Sequence, residues 1–185
     1  MSDYRRRFRQ GGMYFFTVVS YNRRPILTSQ PGRELLRGAI ERIQAKRPFS
    51  FFATVLIPDH WHCIMELPRK DDGFSLRLKR IKEEFTASWL GAGLPEEPVT
   101  DSQRQNGERG VWQPRFWEHL IRNEDELERF TDYIHWNPRK HNLVRRVRDW
   151  PYSSFHRFVA DGHYDINWGG DAPKSIVGHD DWGEP

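Results

Sequence analysis

Cysteine is nearly absent: the 185-residue chain has one, Cys63, so no internal disulfide can form. A reducing, cytoplasmic setting fits that composition. Cys63 lies among apolar neighbours and reads as a core thiol. Long hydrophobic runs are also missing, and no apolar stretch reaches the roughly 20 residues that a membrane-spanning helix needs. The start, Met1 to Arg9, is basic but lacks the apolar stretch of a secretory signal. There is no internal repeat and no long low-complexity tract. An excess of one charge is missing too, with a formal net charge of only +3. That figure hides an asymmetry. Residues 161–185 carry six acids against Lys174, a local charge of −5, which leaves +8 on residues 1–160. A basic body with an acidic tail suggests a polyanionic partner, although an excess of Lys and Arg also serves solubility.

What the chain does have is aromatic residues, eight Trp among them. They can fill a core or form platforms for unpaired bases. The length fits one domain over residues 1–160, with a basic arm over 1–12 and an acidic tail over 161–185. Aromatic and β-branched residues predict a first strand from Met13 to Tyr21. Leu36, Ala39, Ile40 and Ile43 predict a helix over Arg33 to Ala45. Strands at Phe49 to Ile57 and His60 to Leu67, joined by the turn Pro58-Asp59, should pair as a hairpin. Phe74, Leu78, Ile81 and Phe85 recur at helical spacing and predict a second helix over Phe74 to Trp89. Its basic flank, Arg77, Lys79, Arg80 and Lys82, suits a phosphate backbone or a solvated face. Gly91 to Gly110 reads as a long loop, and Val111 to Ile121 as a further strand. A third helix should begin after Asn123, a good N-cap followed by three acids, and end near Asn137, ahead of Pro138. Strands interleaved with helices give an α+β fold, one antiparallel sheet with helices packed on it.

Two segments carry the chemistry. His60 and His62 flank Trp61 within a strand, so their imidazoles share one face while Trp61 and Cys63 take the other. Two such imidazoles make half of a divalent metal site, though a lone His-x-His pair can equally be two polar strand positions. On the third helix, Tyr133 and Asn137 are four apart and share a face. Taken singly, the tyrosine could be a core aromatic and the asparagine a helix-end residue. Together with the imidazoles they are parts for phosphodiester chemistry. A metal would polarise a phosphate oxygen, and the phenol would attack phosphorus to give a phosphotyrosine that conserves the bond energy for rejoining.

These motifs resemble those of the HUH single-tyrosine transposases, and most closely the REP-associated tyrosine transposases of bacteria. His60-Trp61-His62 matches the HUH motif, and Tyr133 to Val144 matches the nucleophile helix and its exit. Gly110 to His119 and Trp150 to His156 match two further family segments. The resemblance runs over roughly residues 12–160 and implies a ferredoxin-like antiparallel sheet packed with helices, the HUH endonuclease fold. It implies that His60, His62 and Asn137 hold Mg²⁺ or Mn²⁺, with Asn137 where the wider group has glutamine. Tyr133 would be the nucleophile, ending joined to a 5′-phosphate, and the substrate would be single-stranded DNA beside a hairpin. Asn142 stands where the family often has glycine, and asparagine tolerates left-handed dihedrals.

Arg5, Arg6, Arg7 and Arg9 in the arm, Arg77 and Arg80 on the second helix, Arg115, and Arg139, Lys140, Arg145 and Arg146 after the nucleophile are the candidate DNA contacts. Arg148 belongs with the last group. Trp112, Trp117 and Trp150 are candidates for base stacking or core packing. His119 could approach the site or make a structural hydrogen bond. His135 is turned away from the Asn137 face, and Tyr152 is the rival nucleophile. The expected protein is a monomeric DNA strand transferase. The alternatives are a hairpin-binding protein without cleavage and a metallonuclease that uses activated water.

Overall fold

The computed structural model describes residues 12–178, so Arg5, Arg6, Arg7 and Arg9 lie outside the described residues. Four strands, β1 (Met13–Val19), β2 (Ser50–Leu56), β3 (His60–Glu66) and β4 (Trp117–Leu120), form one sheet in the order β2-β3-β1-β4. Every pairing is antiparallel. Helices α1 (Gln30–Lys46) and α2 (Phe74–Gly91) pack with one face of the sheet, and α4 (Glu124–Lys140) and α5 (Phe155–Ala160) with the other. A short α3 (Asp101–Gln105) lies in the connection between α2 and β4. This is the expected α+β, ferredoxin-like architecture.

The period of two along β3 divides the core. Trp61, Cys63 and Met65 join the cluster under α1 and α2, and Ile64 joins the cluster under α4. His60 and His62 therefore point to the α4 side. β1 is buried on both faces. Phe15 packs on Phe130 of α4 and Phe16 on Phe74 of α2, with ring centroids 4.5 and 5.5 Å apart.

Local chemistry sets the element ends. Ser29 caps α1 by accepting from the Gly32 amide at 3.1 Å, and a Cβ at Gly32 would lie 2.0 Å from the Ile26 carbonyl oxygen. β1 stops at Val19, short of Tyr21, because Asn22 and Arg23 turn the chain with φ of 51°. The expected loop after α2 contains α3, closed by a Thr100/Gln103 capping box. That Thr-x-x-Gln signal was present in the sequence. The strand expected from Val111 narrows to Trp117–Leu120. Pro114 interrupts it, and Trp112 makes only an isolated bridge with Ser20.

Helix α4 departs most usefully from expectation. Asn123 caps it, accepting from the Glu126 amide at 2.8 Å, but the helix runs through Pro138 to Lys140. Proline removes one donor, and the amides of His141 and Leu143 still bond the carbonyls of Asn137 and Pro138 at 3.0 and 2.9 Å. Asn142, at φ 55°, closes the end in the left-handed conformation. The extra turn carries Lys140 and His141 toward the sheet. Beyond α5, Tyr164 and Ser175 both donate to the buried Asp132 carboxylate, at 2.5 and 2.6 Å, so residues 161–176 lie over α4.

Candidate active site

The site forms where the C-terminal half of α4 crosses the start of β3. His60 is 1% exposed and His62 is fully buried, with ring centroids 4.8 Å apart. Each ring has one nitrogen held by its neighbours. Asp59 Oδ1 lies 2.7 Å from His60 Nδ1, and Thr17 Oγ1 lies 2.9 Å from His62 Nδ1. Thr17 is the β1 residue directly paired with His62. His60 Nε2 is buried and has no hydrogen-bond partner. A ring anchored at Nδ1 with Nε2 presented is the geometry of a metal-ligating histidine. Burial would raise the Asp59 carboxyl pKa, but hydrogen bonds with His60 and Arg23 outweigh it and hold the pKa at about 2. Asp59 is therefore an anion at neutral pH.

Tyr133 packs its ring against His62 at 5.3 Å between centroids and is 1% exposed. Its hydroxyl accepts a hydrogen bond from Lys140 Nζ at 3.0 Å, and the same ammonium lies 4.8 Å from the ring centroid. Seven residues separate the two along α4, nearly two turns, so the contact depends on the helix continuing past Pro138. Asn137, one turn after Tyr133, is fully buried on that side. His141, at the end of the helix, brings its ring to 4.9 Å from His60. Among the described residues, no group of three or more His, Cys, Asp or Glu could hold a metal ion.

Asp59, Thr17 and His141 were missed in the sequence. Asp59 read only as part of a turn. His141 carried a usable signal, the four-residue spacing Tyr133, Asn137, His141 along one helix face.

Other expected residues take different places. Arg77 has an internal place. It is 3% exposed, donates to Asp71 at 2.6 Å and bonds the Pro48 carbonyl at 3.0 Å, so it staples α2 to the end of α1 and is turned inward, unlike its helix neighbours. Arg80 is exposed and paired with Glu83 at 2.8 Å, Arg115 and Arg145 are exposed, and Arg146 pairs with Asp149. Arg139 donates to the Gly169 carbonyl at 2.7 Å, and Arg148 bonds Asn167. His119 is bonded to Glu126 at 3.1 Å. His135 lies away from the site against Ser154, 2.8 Å, and burial pushes its pKa down to about 3. Tyr152 lies under Arg33 of α1, whose guanidinium carbon is 4.7 Å from the ring centroid, in a groove with no part of the His pair. Trp112 packs in the core against Phe85, 5.0 Å, while Trp117 and Trp150 are half-buried.

No family model matches the chain. A REP-associated tyrosine transposase of Escherichia coli K12 is 45% identical over 179 residues, 96% of this chain and 97% of the relative. A Haemophilus influenzae relative of the same designation is 41% identical over 180 residues, 96% of this chain and 99% of the relative. A solved structure of a REP-associated tyrosine transposase bound to a REP hairpin superposes with a TM-score of 0.71 at 43% identity, covering 94% of each chain. Fold and similarity together define an enzyme of the HUH tyrosine transposase class. Within that class, the chain belongs to the REP-associated tyrosine transposase family.

Proposed function

We propose that this transposase nicks and rejoins single-stranded DNA beside a hairpin, using Tyr133 as nucleophile. The observation that carries the reading is the Tyr133 hydroxyl, held by Lys140 at 3.0 Å while its ring packs on His62. The phenol gives up its proton to solvent and its oxygen attacks phosphorus, forming an O–P bond as the bond to the 3′-oxygen breaks. The product is a 5′-phosphotyrosine and a free 3′-hydroxyl, which takes its proton from solvent. Lys140 stabilises negative charge on the phenol oxygen as it attacks, and again as it leaves when a 3′-hydroxyl rejoins the strand. Asp59 and Thr17 fix the two rings so that both present one face to the phosphate. His60, His62 and Asn137 would hold Mg²⁺ or Mn²⁺, which when bound supplies Lewis-acid polarisation of a non-bridging phosphate oxygen.

The substrate follows from the relative solved with a REP hairpin. Arg115, Arg145, Arg146 and Arg80, with Arg5, Arg6, Arg7 and Arg9, would contact its phosphates, fixing position and not sequence. Residues 1–160 would act as the catalytic domain of a monomer on chromosomal DNA in the cytoplasm, with the acidic residues 161–185 as an extension. Among the described residues, no helix is long and apolar enough to cross a membrane.

The test is a denaturing gel of wild type and Tyr133→Phe, each incubated with Mn²⁺ and labelled hairpin oligonucleotides. An SDS-resistant protein–DNA band in wild type alone supports the reading. Nicking that survives Tyr133→Phe points to activated water, and hairpin binding with no nicking in either points to a binding protein.

A further inference from the structure

A second cavity lies on the other face of the sheet, between α2 and residues 107–116, with a volume of about 520 Å³. That is within the roughly 300–1,000 Å³ of small-ligand sites. One wall is aromatic, from Trp112 and Phe116. The opposite wall is the outer side of α2, with Lys79, Lys82, Glu83 and Thr86, and Glu108 and Arg109 also line the cavity.

The wall is built and held. Lys82 Nζ donates to the Gln113 and Pro114 carbonyls at 2.6 and 3.0 Å, pinning the segment across the helix. Burial lowers the Lys82 pKa to about 8. The Gln113 amide bonds the Val19 carbonyl at 2.9 Å, and Val19 is the β1 partner of His60. The cavity wall is thus hydrogen-bonded to the strand beside the catalytic histidines. Trp112 is 5% exposed, with its ring packed on Phe85 and its indole N–H buried without a hydrogen-bond partner. Arg115 is exposed between this wall and β4. The next two residues separate to the two faces, Phe116 packing with the α1/α2 cluster and Trp117 with the α4 cluster. Arg115 and Trp117 thus lie on the stretch of chain that joins the cavity wall to the face carrying Tyr133.

We infer that this cavity binds one unpaired nucleobase of the DNA flanking the hairpin, stacked on Trp112 and Phe116 with its phosphate near Arg115. The inference rests on the DNA reading of the Tyr133 site. An aromatic wall suits any base face, and a cationic approach suits the phosphate that comes with it. Filling the cavity should therefore weaken DNA binding without touching the Tyr133 face.

The probe is a hairpin oligonucleotide with short unpaired flanks of mixed sequence, carrying 4-thiothymidine at one flank position at a time. After irradiation, cross-linked peptides are mapped by mass spectrometry in wild type and in Ala87→Trp. Ala87 is exposed and lines the cavity, so the indole fills space without cutting the core. An unchanged melting temperature checks that the variant is folded. We expect one flank position to cross-link to the peptide containing Trp112 and Phe116. Ala87→Trp should lose that cross-link and about tenfold in affinity. Cross-links confined to α4 and its exit, or wild-type affinity in Ala87→Trp, overturn the inference. A Trp112 cross-link without any Tyr133 adduct would leave the base site standing and sink the nucleophile.

Discussion

The two faces of the sheet are made from alternate residues of the same strands, yet they differ in kind. Toward α1 and α2, β3 contributes Trp61, Cys63 and Met65, and the Trp61 indole is satisfied by Thr54 at 2.7 Å. Burial of Cys63 pushes its thiol pKa well up and leaves it inert. Toward α4, the same strand contributes His60 and His62, with the buried Nε2 of His60 unpaired. Burying a polar atom without a partner costs roughly 1–3 kcal/mol. Along β3, one face is thus lined by apolar side chains and a satisfied indole, while the other holds two imidazoles fixed by Asp59 and Thr17. Holding polar groups buried and oriented in advance is what a dry reaction site requires.

Substitutions on the two faces should separate these roles. The largest effect is expected from Tyr133→Phe, which should lower covalent adduct formation by at least about 10³-fold, read on the denaturing gel. Its melting temperature should stay close to wild type, because the ring packing on Phe15 and His62 is kept. On the opposite face, Phe85→Ala should do the reverse. It empties a fully buried position beside Trp89 and Trp112 and should cost about 3–5 kcal/mol in urea unfolding. At saturating DNA, adduct formation per folded molecule should change little. If Phe85→Ala removes catalysis while stability is untouched, the division between the faces is wrong.

Asp59→Ala sharpens the comparison within the catalytic face. It removes the anchor of His60 Nδ1 but no proposed ligand, and should weaken Mn²⁺ binding by about 10–100-fold in calorimetry. Unchanged Mn²⁺ affinity would argue that His60 needs no orientation.

The effect that is smallest at neutral pH concerns His135, buried on the same helix but outside the site. Its pKa falls from 6.5 to about 3 in the folded protein. Between those values the unfolded chain takes up a proton that the folded one refuses. Stability should therefore drop as pH falls from about 6.5 toward 3, by at most about 1.4 kcal/mol per pH unit. His135→Asn should flatten that part of the stability profile, and parallel profiles for the two proteins would contradict the assignment.

The sequence by itself determined the alternation of β3, hence which side of the sheet receives His60 and His62. It also determined the amphipathic spacing of α1, α2 and α4, the Asn123 cap and the Tyr133/Asn137 pairing on one helix face. These are local properties, set by a period of two or 3.6 and by side-chain hydrogen bonds within a few residues. Arg77 shows where that information ended. Its basic flank looked like its neighbours, and only the approach of Asp71 and the Pro48 carbonyl made it an internal staple. The same is true of the last turn of α4. Pro138 argued locally for an end at Asn137, and packing against the sheet carried the helix on to Lys140. Tertiary structure alone decided that Lys140 meets the Tyr133 hydroxyl, that Asp59 and Thr17 hold the imidazoles, and that Val19 joins His60 to the wall of a second cavity. Each of these contacts joins residues through the order and register of strands, or through a helix held against its local preference. Neither is written in the spacing of one segment.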